Sequence, residues 1–184
     1  MPLANATPLP LFQTPQIDGG TILLPVPWYP TPDGLQEWCW AACAQMMAYY
    51  FQNTPTEQCT FANSVFPGLD CCNSPDACNL EINLDQVTAL FGSFGKTATY
   101  VEGQIGPDEI QAEIAASRPV QVGFQWSTGD HHLVVIAGVS QDDRGLLVYV
   151  NDPDPQFAYG WVYYSNLQIA YGLGSWQWTW KSIA

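Results

Sequence analysis

The chain has 184 residues, 47% of them hydrophobic, and 4 Lys+Arg against 17 Asp+Glu give a formal net charge of −13. That length and apolar content build one domain with a proper core and exclude global disorder. Lys96, Arg118, Arg144 and Lys181 assemble no cationic surface, which excludes nucleic acid and anionic membrane as partners; no apolar run reaches the ~18–20 residues of a membrane span.

Residues 1–32 read as an arm, with prolines at 2, 8, 10, 15, 25, 27, 30 and 32, and the folded domain occupies 33–184. Residues 21–26 suit an edge strand, where proline is tolerated. No basic segment followed by an apolar stretch marks a signal peptide. Trp40, Cys43, Ala44, Met47 and Tyr50 then recur at helical spacing, which predicts a helix over 39–52, stopped by Asn53, Thr54 and Pro55. Cys39 falls in its first turn. Unpaired amide hydrogens and the positive end of the helix dipole favour a thiolate there, and the thiolate is the nucleophilic form. The alternative for Cys39 is a buried or disulfide-bonded cysteine.

Four further cysteines, at 59, 71, 72 and 78, crowd a loop-like segment rich in Asn, Pro, Asp and Gly. That density predicts a stapled loop and an oxidising compartment, hence a secreted or periplasmic protein. Three pairings are open, and the adjacent Cys71 and Cys72 are poor partners for each other. Cys39 and Cys43, one helical turn apart, are left over. With His131 and His132 they also permit a zinc site or a redox pair, although the spacing lacks a second matching pair.

Asn83 and Gln86 read as a capping box opening a helix to Phe91. Residues 96–101 suit a strand. Gly106, Pro107, Asp108 and Glu109 open a further helix with Ile110, Ile114 and Ala115 as its apolar stripe, ended by Arg118 and Pro119. Period two follows: Val120, Val122, Phe124 and Trp126 alternate with Gln121, Gly123 and Gln125, one face buried. Residues 132–138 form an apolar central strand, 142–145 a turn, and 146–150 the returning strand. Strand-like segments at 160–164 and around Trp176, Trp178 and Trp180 complete the chain. Helices first, then an antiparallel meander, is an α+β order.

The two histidines are consecutive at the start of the most apolar strand. Neighbouring strand side chains point to opposite faces, so only one of them serves the helix. Asp152 follows the next strand, and a hairpin places its first and last residues side by side. His132 and Asp152 are therefore expected to meet, the carboxylate orienting the ring and leaving the second ring nitrogen for Cys39.

Trp-Cys-Trp-Ala-Ala-Cys at 38–43, the Cys59 and Cys71 to Asn79 segment, Gly129 to His132 before an apolar strand, and Asn151-Asp152-Pro153 resemble bacterial papain-like cysteine proteases. The similar groups are the bacteriocin-leader peptidases and the effector proteases of plant pathogens. The resemblance implies a nucleophile helix packed on an antiparallel sheet or half-barrel. It makes Cys39 the nucleophile, His132 the general base, with Gly138 at the distance where such proteases carry a glycine, and Asp152 the orienting acid. Asn151 is the fallback for that last role. Those proteases place an oxyanion-hole glutamine about six residues before the cysteine, where this chain has Asp33; Gln36 is the nearer amide. Ile17 to Gly20, with Leu9, resembles the end of a double-glycine leader, but the intervening positions do not fit and a linker is the simpler reading.

The function expected is a cysteine peptidase acting as a monomer on peptide or protein, with Cys39, His132, Asp152 and Gln36 catalytic. Trp38, Trp40, Trp126, His131 and Asn151 are the candidate substrate-binding residues. No metal or organic cofactor is implied. The alternatives are acyl transfer or deamidation by the same triad, or a peptide-binding module that kept the fold and lost activity, with Asp33 as its motive.

Overall fold

The computed structural model describes residues 20–184, so the readings at Leu9, at 17–19 and at the first four prolines lie outside the described residues. The predicted helix forms as α1 (Cys39–Gln52), led in by a 3-10 turn at Gln36–Trp38. Every residue from Cys39 to Ala48 is buried, so α1 is a central helix covered all round. Asn53 closes it in the left-handed region, φ 51°, its backbone N–H donating to Tyr49 O.

The cysteine-rich segment is not all loop. Cys59 sits on α2 (Gln58–Val65), whose Gln58, Phe61 and Ala62 are buried. Gln58 Nε2 donates to Gln45 Oε1 on α1, at 3.0 Å, and to Pro30 O, at 2.9 Å. Eight residues carry too little periodicity to be heard against the turn-forming composition that follows. Two disulfides, Cys59–Cys72 and Cys71–Cys78, resolve the pairing and leave Cys39 and Cys43 free. α3 (Leu84–Ser93) starts at the Asn83–Gln86 capping box, both reciprocal bonds present. On α4 (Pro107–Ala115), Ile110 and Ile114 are buried. Ala115, expected in that stripe, is exposed. Glu113 is buried instead because its carboxylate accepts from Arg118 at 2.7 and 3.0 Å and from Ser182 N at 2.9 Å.

The strands are β1 (Ile22–Leu23), β2 (Thr99–Glu102), β3 (Val120–Trp126), β4 (His131–Asp142), β5 (Gly145–Asn151), β6 (Tyr159–Tyr163) and β7 (Gly174–Lys181). They form one antiparallel sheet in the order β2-β7-β3-β4-β5-β6, with β1 added to β4. The meander β3 to β6 is as expected, but β7 returns to lie between β2 and β3. Its Trp176 and Trp180, both buried, hold it in the interior of the sheet. Strand β3 is buried on both faces rather than one: Val120, Val122 and Phe124 lie in the core, while Gln121, also buried, borders a small space shared with Trp40 of α1 and Leu90 of α3.

The arm joins the fold through β1. At Gly138 the β1 backbone comes so close that an added Cβ would lie 2.7 Å from Ile22 O. A glycine is thus required there by packing.

Candidate active site

Cys39 is the first residue of α1 and is 8% exposed. The segment just after the Cys71–Cys78 disulfide braces its surroundings. Trp38 Nε1 donates to Cys78 O at 2.7 Å, Trp40 Nε1 to Leu80 O at 3.1 Å, and Glu37 N to Asn79 Oδ1 at 3.0 Å. Asn79 Nδ2 donates to Gly34 O at 3.2 Å, and His131 N to Glu81 Oε1 at 3.3 Å. Residues 78–81 therefore tie the turn before Cys39 to the start of β4. Cys43, one turn on, is fully buried and donates from Sγ to Leu133 O at 3.3 Å. Burial, then the charges of Cys39 and Asp152, push its thiol pKa up, so it stays protonated and a poor nucleophile.

His132 is buried and His131 exposed. The hairpin register pairs Asn151 with Val135, with a bulge between Ile136 and Gly138. His132 and Asp152 are accordingly not opposite each other, as the hairpin argument expected. β4 overhangs β5, so Asp152 falls beyond the paired residues and the His132 ring reaches diagonally to it. His132 Nε2 donates to Asp152 Oδ1 at 2.7 Å. The Trp126 ring stacks on the imidazole, centroids 5.3 Å apart and planes at 26°. Burial by itself lowers the His132 pKa; the charge and hydrogen bond of Asp152, then the hydrogen bond and charge of Cys39, raise it well above the ordinary value. With Nε2 bound to Asp152, Nδ1 is the ring nitrogen left over.

Asp152 is fully buried. Its Oδ1 also accepts from Asp154 N at 2.9 Å and its Oδ2 from Tyr171 OH at 3.2 Å. The arm fixes the backbone on either side. Trp28 Nε1 donates to Asp152 O at 2.7 Å, Thr31 N to Pro153 O at 2.8 Å, and Asn151 Nδ2 to Val26 O at 3.0 Å.

Two cavities flank the pair. A narrow one of about 30 Å³ has Cys39, Trp40, Leu84, Val87, Leu133 and Trp178 in its walls. A wider one of about 410 Å³ is lined by Asp33, Gln36, Trp126, Asp154 and others. Glu37, His131 and His132 border both. Asp33 and Gln36 thus share the wider space with His132. Two candidate binding residues lie elsewhere. Trp38 is 2% exposed with its indole N–H committed to Cys78 O, so it is a core residue. Asn151 is buried against the arm and holds the chain rather than a substrate. The sequence reading missed Tyr171, Trp28 and Glu81. Tyr171 carries no periodic signal, and Glu81 is one acid in an acidic chain. Among the described residues, no group of three or more His, Cys, Asp or Glu is placed to hold a metal ion.

The family model described as papain-like cysteine protease AvrRpt2 matches residues 29–163. A comparison with curated protein sequences finds no match. The fold is similar to the peptidase domain of Streptococcus ComA, a bifunctional ABC transporter involved in quorum sensing. The two share 12% identity over 86% of this chain and 98% of that domain, with a TM-score of 0.61. It also matches a double glycine motif protease from an AMS/PCAT transporter, in complex with its leader peptide, at 18% identity, 86% and 93% coverage and a TM-score of 0.46. The Pseudomonas avirulence protein AvrPphB matches at 10% identity, 86% and 97% coverage and a TM-score of 0.42.

Proposed function

The chain belongs to the papain-like cysteine proteases of the AvrRpt2 family, and from that premise we propose that Cys39, His132 and Asp152 carry its peptidase chemistry. The single observation that supports these roles is one buried imidazole held by Asp152 Oδ1 at 2.7 Å and lining the same cavity as a free thiol at a helix N-terminus. In this reading the Cys39 thiolate attacks the scissile carbonyl and forms a tetrahedral adduct. His132, as imidazolium, gives its proton to the leaving amine, and the C–N bond breaks. Water, deprotonated by His132, then attacks the thioester and releases the acid and the thiol. Asp152 keeps the ring in the productive tautomer.

Gln36 and the Cys39 backbone N–H are the proposed oxyanion donors, with Asp33 close by in the same cavity. The substrate is a peptide lying across the two cavities beside Trp126 and His131, while Trp40, 2% exposed with its indole N–H held by Leu80 O, only backs the narrow one. Two disulfides support an oxidising location, secreted or periplasmic.

Iodoacetamide alkylation as a function of pH tests the assignment. Cys39 is expected to react well below pH ~8, where ordinary thiols are slow, and Cys39→Ala to abolish turnover. Asp33 favours a second reading, a peptide-binding module without turnover, because a carboxylate there opposes a developing oxyanion. Alkylation only above pH ~8 supports that reading and overturns the first. Transfer of the acyl group to an added amine in place of water would identify acyl transfer by the same residues.

A further inference from the structure

We propose that Tyr171 is a positioning residue for the catalytic group, acting through Asp152; the inference rests on the roles assigned above. Asp152 Oδ1 is shared by His132 and Asp154 N, and the Tyr171 hydroxyl is the partner of Oδ2. A carboxylate held at both oxygens cannot rotate away from the imidazole. Because an ionised carboxylate only accepts, the phenol must donate. Burial, then the charge of Asp152, hold the Tyr171 pKa well above its ordinary value, which keeps that proton in place.

The backbone and the neighbouring rings dedicate Tyr171 to this contact. Ala170, Tyr171 and Gly172 are all left-handed, with φ of 43°, 59° and 86°. Two successive non-glycine residues in that region are strained, and such strain persists where surrounding contacts over-determine it, commonly at functional sites. Here the contacts are aromatic. Phe157 stacks on Tyr171, centroids 4.9 Å apart at 29°, and Phe124 meets it edge-on at 5.5 Å and 83°. Phe157 also stacks on Trp126, which stacks on His132. A closed circuit therefore runs from His132 through Trp126, Phe157 and Tyr171 to Asp152 and back to His132. The ring of Tyr171 fills space, but its hydroxyl serves Asp152.

An O–H whose hydrogen points at Asp152 contributes positive potential, which lowers the proton affinity of every group nearby. The test is Tyr171→Phe in the full chain, following Cys39 alkylation rate and kcat/KM against pH, with Asp152→Asn and the double variant beside it. Tyr171→Phe is expected to lower kcat/KM about tenfold at neutral pH, as loss of a hydrogen bond to a charged group does. It should also move both limbs of the pH profile upward by about half a unit. In the Asp152→Asn background its further effect is expected to vanish. Replacing Tyr171 with 3-fluorotyrosine, which keeps ring and hydroxyl but donates more strongly, should move the limbs downward; this variant covers the case of a Phe chain that does not fold. A pH profile that superimposes on the wild type in the folded variants, or additive losses in the double variant, overturns the inference. Failure of the underlying roles has a different signature, turnover that survives Cys39→Ala. Alkylation needs no known substrate.

Discussion

Removing the Cys71–Cys78 disulfide should cost stability and activity together, because residues 78–81 both close a loop and brace the nucleophile. The two cysteines are seven positions apart and fully buried. Chain entropy for so short a loop gives about 2.5 kcal/mol of stabilisation. For a domain of this length that corresponds to roughly 5–10 °C in the thermal midpoint. The Cys59–Cys72 bridge, at a separation of 13, is worth about 3 kcal/mol by the same reasoning, and so serves as a control of matched stability. The activity consequence differs between them. Only the first bridge sits directly before the bonds from Trp38, Glu37, Gly34 and Trp40 to residues 78–80. Loosening these displaces Cys39 relative to His132, and small displacements at a reacting pair cost about tenfold or more. Cys71→Ala/Cys78→Ala and Cys59→Ala/Cys72→Ala should be compared by thermal denaturation and by kcat/KM at 25 °C, where both remain folded. The expected outcome is a similar fall in midpoint for both, but a fall of about tenfold in kcat/KM for the first against less than about threefold for the second. Equal losses of activity, or none from the first pair, would refute the bracing argument.

Gly138→Ala places a Cβ 2.7 Å from Ile22 O, 3.0 Å from Leu23 Cδ1 and 3.1 Å from Tyr149 Cβ; overpacking of this kind costs about 1–3 kcal/mol, read as a lowered urea midpoint, and an unchanged midpoint counts against the tight seat of β1. The folded-state pKa of His132 is raised, so its stabilisation is complete below the unfolded value of about 6.5 and is lost as pH climbs through the folded value. In a Cys39→Ala background, Asp152→Asn should therefore flatten the decline of stability above pH ~6.5; parallel declines in urea midpoints would exclude Asp152 as the source. Asp33, Glu37, Glu81, Asp130 and Asp154 line the two cavities with no Lys or Arg among the lining residues. Peptides carrying Lys or Arg beside the cleaved bond should thus be preferred over matched neutral ones. That preference should shrink about tenfold between 0.05 and 0.5 M salt, and a salt-independent ratio removes the electrostatic explanation.

Local pattern carried much of this protein. The helix from Cys39 to Gln52, its stop at Asn53, the Asn83 capping box and the start of α4 at Pro107 are each set by neighbours within four or five positions. The same holds for the continuous apolar run that makes β4 and for the turning of its two adjacent histidines to opposite faces, whereas the choice of His132 between them came from the family resemblance. What tertiary structure alone decided are contacts between residues distant along the chain. Strand β7 inserts beside β3, the disulfides pair 59 with 72 and 71 with 78, Trp38 turns into the core, and Tyr171 arrives at Asp152. The physical reason is that a periodicity reports which side of an element is covered, never by what. A hydroxyl bound to a carboxylate 19 positions away, or an indole bound to a carbonyl 124 away, leaves no trace in the chain until packing brings the two together.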